Sequence, residues 1–155
     1  MQVRHLMTSP VLTITPEQDL ETAAFTMVER RIGGLVVVDA QGKACGIVTE
    51  KDLVAREPAN PFAKHRRAMV AGRPLAGGLD STYADVRRRP ISKVMRKIPA
   101  FVNEDDPVER AVDLMLRHDV NHLPVLRDGQ PVGMLARLDL IRLLWSGVNA
   151  PQPDV

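Results

Sequence analysis

The chain has 155 residues, room for one ordinary domain or two small ones that share a core. With 45% apolar and 26% charged residues it has a normal soluble composition, and no apolar run approaches the ~20 residues a membrane helix needs. Aromatics are only 3%, so the core must come from Val, Leu, Ile, Ala and Met, while the net charge of +2 conceals a basic middle segment. The N-terminus shows no apolar stretch of the secretory kind. Cys45 is the single cysteine, which excludes an internal disulfide and fits a reducing cytoplasm. It reads as a small buried hydrophobe on a strand.

In chain order, Val11-Leu12-Thr13-Ile14 is a short β-rich run. Leu20, Ala23, Ala24, Met27 and Val28 then share one face at 3.6-residue spacing, which predicts a helix. Thr15-Pro16-Glu17-Gln18 has the form of a capping box with Pro at the first helical position. Gly33-Gly34 ends the helical region and Leu35 to Val38 is a buried strand. A turn through Gly42 leads to the strand Ala44 to Val48, with a helix from Glu50.

Residues 54–90 break this pattern with eight Lys or Arg against three Asp or Glu, which accounts for all the excess positive charge. Asn60-Pro61 is expected to open a helix through Phe62, His65 and Met69. Gly72, Pro74 and Gly77-Gly78 mark loop, and Thr82 is expected to cap a further turn toward Arg87-Arg88-Arg89. The segment is long for a connector, so partial structure of its own and mobility are expected.

Beyond it the earlier order returns. Ala100-Phe101-Val102 reads as strand, Asp106 as the cap of a helix with Pro107 first and Glu109 closing the box. Val108, Ala111, Val112 and Met115 line that helix. His122 to Leu126 and Val132 to Leu135 are strands joined at Asp128-Gly129, a hairpin signal. The last helix carries Leu140, Ile141, Leu143, Leu144 and Trp145, and the end of the chain reads as frayed.

The return is an internal repeat. Met7 and Met95, Ala23 and Ala111, Met27 and Met115, and Leu35 and Leu123 match at an offset of 88. After the turn that follows Asp39 the offset is 87: Gly46 matches Gly133 and Asp52 matches Asp139. Each copy is β-α-β-β-α, too small to bury its own sheet. The predicted fold is α/β (α+β), with both copies packed as a pseudo-twofold pair. The expected division is 1–57 for the first repeat, 58–90 for the basic insertion, 91–147 for the second repeat and 148–155 for a flexible tail.

Chemistry concentrates at Gly46 to Leu53 and again at Gly133 to Leu140. Each stretch is a strand, a sharp turn and a helix with an aspartate in its first turn. Free backbone N–H groups and the positive dipole end make such a start a seat for an anion. The aspartate has the wrong sign for phosphate and suits hydroxyl donors, such as the pair on a ribose. Phosphate seat and hydroxyl acceptor together suggest a nucleotide. Thr49-x-x-Asp52 is equally a plain capping box that needs no ligand. In the second copy Ala136 cannot cap, yet Asp139 is kept.

The two copies resemble the CBS domain (from cystathionine β-synthase) in its tandem form, the Bateman module. The resemblance is carried by Met7-Thr8, Pro10, Ala23, Met27, Leu35 to Asp39, Gly42 and Gly46 to Leu53. In the second copy it lies in Val94-Met95, Ala111, Met115, Val120, Leu123-Pro124-Val125, Gly129 and Gly133 to Leu140. It covers about two thirds of the chain and implies two clefts that take adenosine derivatives such as AMP, ADP, ATP or S-adenosylmethionine. Carried across, a first cleft uses Thr49, Lys51 and Asp52 with Ala100, Val120, Asn121 and His122. A second uses Asp139 with Leu12, Ile32, Gly33 and Gly34, but has Ala136 in place of the Thr. Unequal clefts are therefore expected, with one tight nucleotide per chain.

Other readings are weaker. His122 suits a half-buried strand histidine, and His5, His65 and His118 lack partners at metal-ligand spacing, so no metal site is expected. The G-x-G-x-x-G fingerprint is absent, as are a nucleophile–base pair and paired carboxylates, which argues against an enzyme. The expected function is a stand-alone, cytoplasmic, regulatory sensor of an adenosine nucleotide, acting on a partner protein in trans or through a homodimer. An oligomerising scaffold with empty clefts is one alternative. A nucleic-acid-associated factor using Lys64, Arg66, Arg67 and Arg87 to Arg89 is the other, although no aromatics interleave with these cations.

Overall fold

The computed structural model describes residues 1–56, 58–60 and 78–146. A 3-10 turn at Val3–His5 leads to β1 (Thr13–Ile14), α1 (Leu20–Arg30), β2 (Gly34–Val38), β3 (Ala44–Thr49) and α2 (Glu50–Ala55). After α3 (Gly78–Arg87) and a second 3-10 turn at Ile91–Lys93 come α4 (Val108–His118), β4 (His122–Arg127), β5 (Gln130–Ala136) and α5 (Arg137–Ser146). The fold is mixed α/β, with a three-stranded sheet β1-β2-β3 and a two-stranded antiparallel pair β4-β5. The helix expected through Phe62, His65 and Met69 and the tail from Ala150 lie outside the described residues, as do Lys64, Arg66 and Arg67.

The helix ends differ from expectation, for local reasons. α1 starts at Leu20, with Asp19 as the cap accepting from Thr22 N–H at 2.8 Å. The Gln18 side chain instead serves the turn before it, accepting from Thr15 N–H at 2.9 Å. Asp106 does the same for Asn103 N–H at 2.9 Å, so α4 starts at Val108 with Pro107 outside it as the cap residue. Both helices end on a non-glycine cap in the left-handed conformation, Arg31 at φ 51 and Asp119 at φ 49, so α1 stops before Gly33-Gly34. Thr82 lies inside α3 rather than at its start. Of the expected strand at Ala100 to Val102, only Val102 pairs, as a parallel bridge to Val125.

The described residues form two compact units, and these do not coincide with the repeats. One comprises Met1–Thr13, Val38–Cys45 and the described residues from Lys97 on. Within it Thr8 and Met134 exchange backbone hydrogen bonds of 2.9 and 3.0 Å. The other comprises Ile14–Val37 and the described residues of Gly46–Arg96, and there Ile47 and Arg96 exchange bonds of 2.9 Å each. Thr8 and Arg96 are equivalent positions of the repeat, as are Met134 and Ile47. The leading segment of each repeat thus pairs with the last strand of the other repeat and satisfies backbone groups that an open edge would expose.

This close approach explains the matched glycines. A Cβ on Gly46 would lie 3.0 Å from the Arg96 carbonyl oxygen, and one on Gly133 would lie 3.2 Å from that of Thr8 and 2.5 Å from Met7 Sδ. Val3, Val102, Ala111, Met115, Leu123, Val125 and Leu135 form the core of the first unit. Leu20, Ala23, Met27, Leu35, Val36, Val37, Ile47, Val48, Ile91 and Val94 are buried in the second. Burying each Val, Leu or Ile side chain contributes about 1.5–3 kcal/mol.

Three expectations about burial fail. Cys45 is exposed on β3, because the strand is enclosed only from Gly46 onward. On α1 the apolar face is narrower than predicted, since Ala24 and Val28 are exposed and only Leu20, Ala23 and Met27 are buried. Val112 is likewise exposed on α4.

Candidate functional site

The first candidate site is built where β3 hands over to α2. Thr49 is extended at φ −124 and ψ 166, which places it as the cap of α2 with Asp52 at the third helical position. Asp52 Oδ2 accepts from Thr49 N–H and from Thr49 Oγ1–H, both at 2.9 Å, and a reciprocal capping box closes. Glu50 N–H donates to the Gly33 carbonyl at 3.0 Å, so the segment before β2 is tied to the start of α2. The capping reading of Thr49-x-x-Asp52 is therefore fulfilled.

A further partner was not visible in the sequence. Arg96 Nε donates to Asp52 Oδ1 at 2.6 Å and its terminal nitrogen to Oδ2 at 3.2 Å. Asp52 is 3% exposed, so this is a fork of guanidinium on an almost enclosed carboxylate. Lys51, by contrast, points to solvent.

The second candidate site starts α5 and lacks the hydroxyl. Asp139 Oδ2 accepts from Ala136 N–H at 2.7 Å, which keeps half of the capping box. Its Oδ1 accepts from Arg142, one turn along the same helix, at 2.9 Å. Arg137 N–H donates to the Asn121 carbonyl at 2.8 Å, the counterpart of the Glu50–Gly33 bond. Burial pushes the Asp139 carboxyl above its usual range, against the Ala136 N–H, the Arg142 charge and the nearby His122.

Thr49, Lys51 and Asp52 thus share a unit with Ile32, Gly33, Gly34 and Arg96, whereas Ala100, Val120, Asn121, His122, Leu12 and Asp139 belong to the other. Ala100 and Gly34 are buried; Leu12, Ile32, Gly33, Val120 and His122 are half-buried, and Asn121 is exposed. In the basic triplet, Arg87 pairs with Asp80 at 2.8 Å and Arg89 donates to the Pro58 carbonyl at 2.7 Å. Among the described residues no group of three or more His, Cys, Asp and Glu could hold a metal ion, and no helix is long and apolar enough to cross a membrane.

Comparison with known proteins agrees with this architecture. A crystal structure of the CBS domain of a CBS domain-containing membrane protein from Sphaerobacter thermophilus superposes with a TM-score of 0.73 at 31% identity, covering 92% of this chain and 87% of that one. An uncharacterised 17.7 kDa protein of Acidianus ambivalens is 31% identical over 92% of this chain and 73% of its own length. Two more distant structures share the fold. One is the CBS domain pair of protein MJ0100, in complex with 5'-methylthioadenosine and S-adenosyl-L-methionine, with a TM-score of 0.67 at 23% identity, covering 93% of this chain and 99% of that one. The other is CBSX2 in complex with AMP, with a TM-score of 0.66 at 22% identity, covering 92% and 95%. Some relatives are far longer: the chain spans 22% of a CBS domain-containing protein of Arabidopsis thaliana. The CBS domain family model matches residues 3–58 and 91–146, and the chain belongs to the CBS domain family, of which it carries two copies.

Proposed function

We propose that this CBS pair is a non-catalytic, cytoplasmic sensor of an adenosine nucleotide that regulates a partner protein or its own association. The observation that carries this reading is the chemistry gathered at α2. An enclosed carboxylate, a hydroxyl and a guanidinium meet within hydrogen-bonding distance at a helix start. Hydroxyl donors of a ribose suit the carboxylate, and phosphate suits the guanidinium and the exposed Lys51. Relatives of the same fold hold AMP, or S-adenosyl-L-methionine with 5'-methylthioadenosine, which supports the ligand class. In this reading Thr49, Lys51 and Asp52 carry the tight site, and Asp139 carries a weaker one.

Self-association as a homodimer is part of the proposal. Ile141, Leu144 and Trp145 on α5 are 51%, 88% and 85% exposed, an apolar surface that a second copy suits. Light scattering then reads a mass near twice 17.1 kDa. The function itself is tested by calorimetry with AMP, ADP, ATP and S-adenosylmethionine, backed by thermal shift, since a ligand of the folded state alone raises its stability. Saturable binding of at least one supports the sensor; no binding by any of the four overturns it.

A further inference from the structure

We infer that Arg96 is a specificity residue, a latch that occupies Asp52 and gives it up only to a ligand whose phosphate takes over the guanidinium. This role rests on the nucleotide-binding reading above. An ionised carboxylate has about four acceptor positions. Three donors converge on Asp52 Oδ2 (Thr49 N–H, Thr49 Oγ1–H and the Arg96 terminal nitrogen), and Arg96 Nε–H reaches Oδ1. At most one position, on Oδ1, stays open, so a pair of ribose hydroxyls enters only when a present donor leaves. The Thr49 N–H is fixed by the capping box and the Thr49 hydroxyl sits in the same turn, so the donor free to swing away on a long side chain is Arg96.

The geometry lets it leave without disturbing the fold. The Arg96 backbone is held by its two 2.9 Å bonds to Ile47, so only its side chain has to move. That side chain is 36% exposed, whereas the Asp52 side chain is 4% exposed. On release, Asp52 keeps the Thr49 donors and gains two hydroxyls, while the guanidinium gains a phosphate. A nucleoside without phosphate breaks the same pair and gives the cation only water in return. The site thus discriminates by what the ligand offers Arg96. The equivalent position of the other repeat is Thr8, and Asp139 takes its arginine from its own helix at i+3, so the second site has no such latch.

The test is calorimetric titration of AMP and of adenosine into the full chain, as wild type, Arg96→Gln and Arg96→Lys. A hydrogen bond to a charged group is worth about 10- to 150-fold in affinity, so the wild type should prefer AMP over adenosine by at least about 10-fold. Arg96→Gln should bind adenosine more tightly and AMP less tightly, closing most of that gap. Arg96→Lys keeps the cation but loses the fork, so it should gain adenosine affinity while keeping part of the AMP preference. The lysine variant decides the matter if the glutamine variant does not fold. Adenosine affinity that is unchanged or lower in the folded variants overturns the latch and leaves the sensor intact. Absence of AMP and adenosine binding in the wild type overturns the latch, and the sensor too if ADP, ATP and S-adenosylmethionine also fail.

Discussion

Asp52 and Asp139 stand at matched positions of the repeat, each one turn into the helix that follows the last strand of its copy. Their surroundings have diverged. Asp52 is enclosed by a threonine hydroxyl and by a bidentate arginine brought from 44 residues further along the chain. Asp139 has an alanine in place of the threonine and a single contact to Arg142 of its own helix. One position has become a crowded polar cluster with an arginine from the other repeat, and the other a buried carboxylate served by its own helix, with His122 nearby. The lesson is that a duplicated backbone supplies the geometry, and a few side chains then set the polar surroundings of each carboxylate.

The largest expected effect on stability separates the two directly. Asp52→Ala removes charge-assisted bonds from Arg96 and half of a capping box, a loss of about 2–3 kcal/mol once solvent screening of Arg96 is allowed for. Asp139→Ala forfeits a cap but also relieves a desolvated charge, and should cost about 1 kcal/mol or less. Urea unfolding of the two variants reads the difference, and equal losses would break the contrast. A control for what the copies still share is the glycine pair. Gly46→Ala and Gly133→Ala each push a methyl group toward the backbone of an incoming segment and should each lose roughly 1–2 kcal/mol.

Acid sensitivity sharpens the contrast further. The Asp139 carboxyl is held above its ordinary value of 3.8, chiefly by burial. Its folded state therefore keeps the proton longer than the unfolded chain does. The associated stability is fully present below the unfolded value and is lost as pH rises through the folded one. Asp139→Asn should remove this component, so that its stability relative to wild type rises with pH across that window. An unchanged pH profile would contradict the assignment. The smallest effect is expected for Arg142→Ala, whose partly exposed i,i+3 pair should contribute no more than about 0.5 kcal/mol in the same unfolding measurement.

Much of this architecture was legible in the sequence, because hydrophobic period and the repeat offset are local signals. β2, β3, α4, β4 and β5 lie where periodicity and turn residues place them, and the left-handed pair Asp128-Gly129 closes the last hairpin. The capping box of α2 was legible for the same reason, since Thr49 and Asp52 are three residues apart. Helix starts were not, because Gln18 and Asp106 complete box-like bonds in turns that precede the helices. Arg96 was hidden more deeply. Its approach to Asp52 depends on the leading segment of the second repeat pairing with β3 of the first, a long-range choice that no local pattern records. The repeat offset did carry one usable signal: Arg96 replaces a threonine at an otherwise matched position.

The central claim, one tight nucleotide at the Asp52 helix start and a weaker site at Asp139, is tested most directly by titrating AMP calorimetrically into three proteins. Wild type should take up one tightly bound AMP per chain. Asp52→Ala should lose that tight binding, while Asp139→Ala should affect only the weak uptake. Equal occupancy of two sites by AMP in the wild type, or tight binding that survives Asp52→Ala, would contradict it.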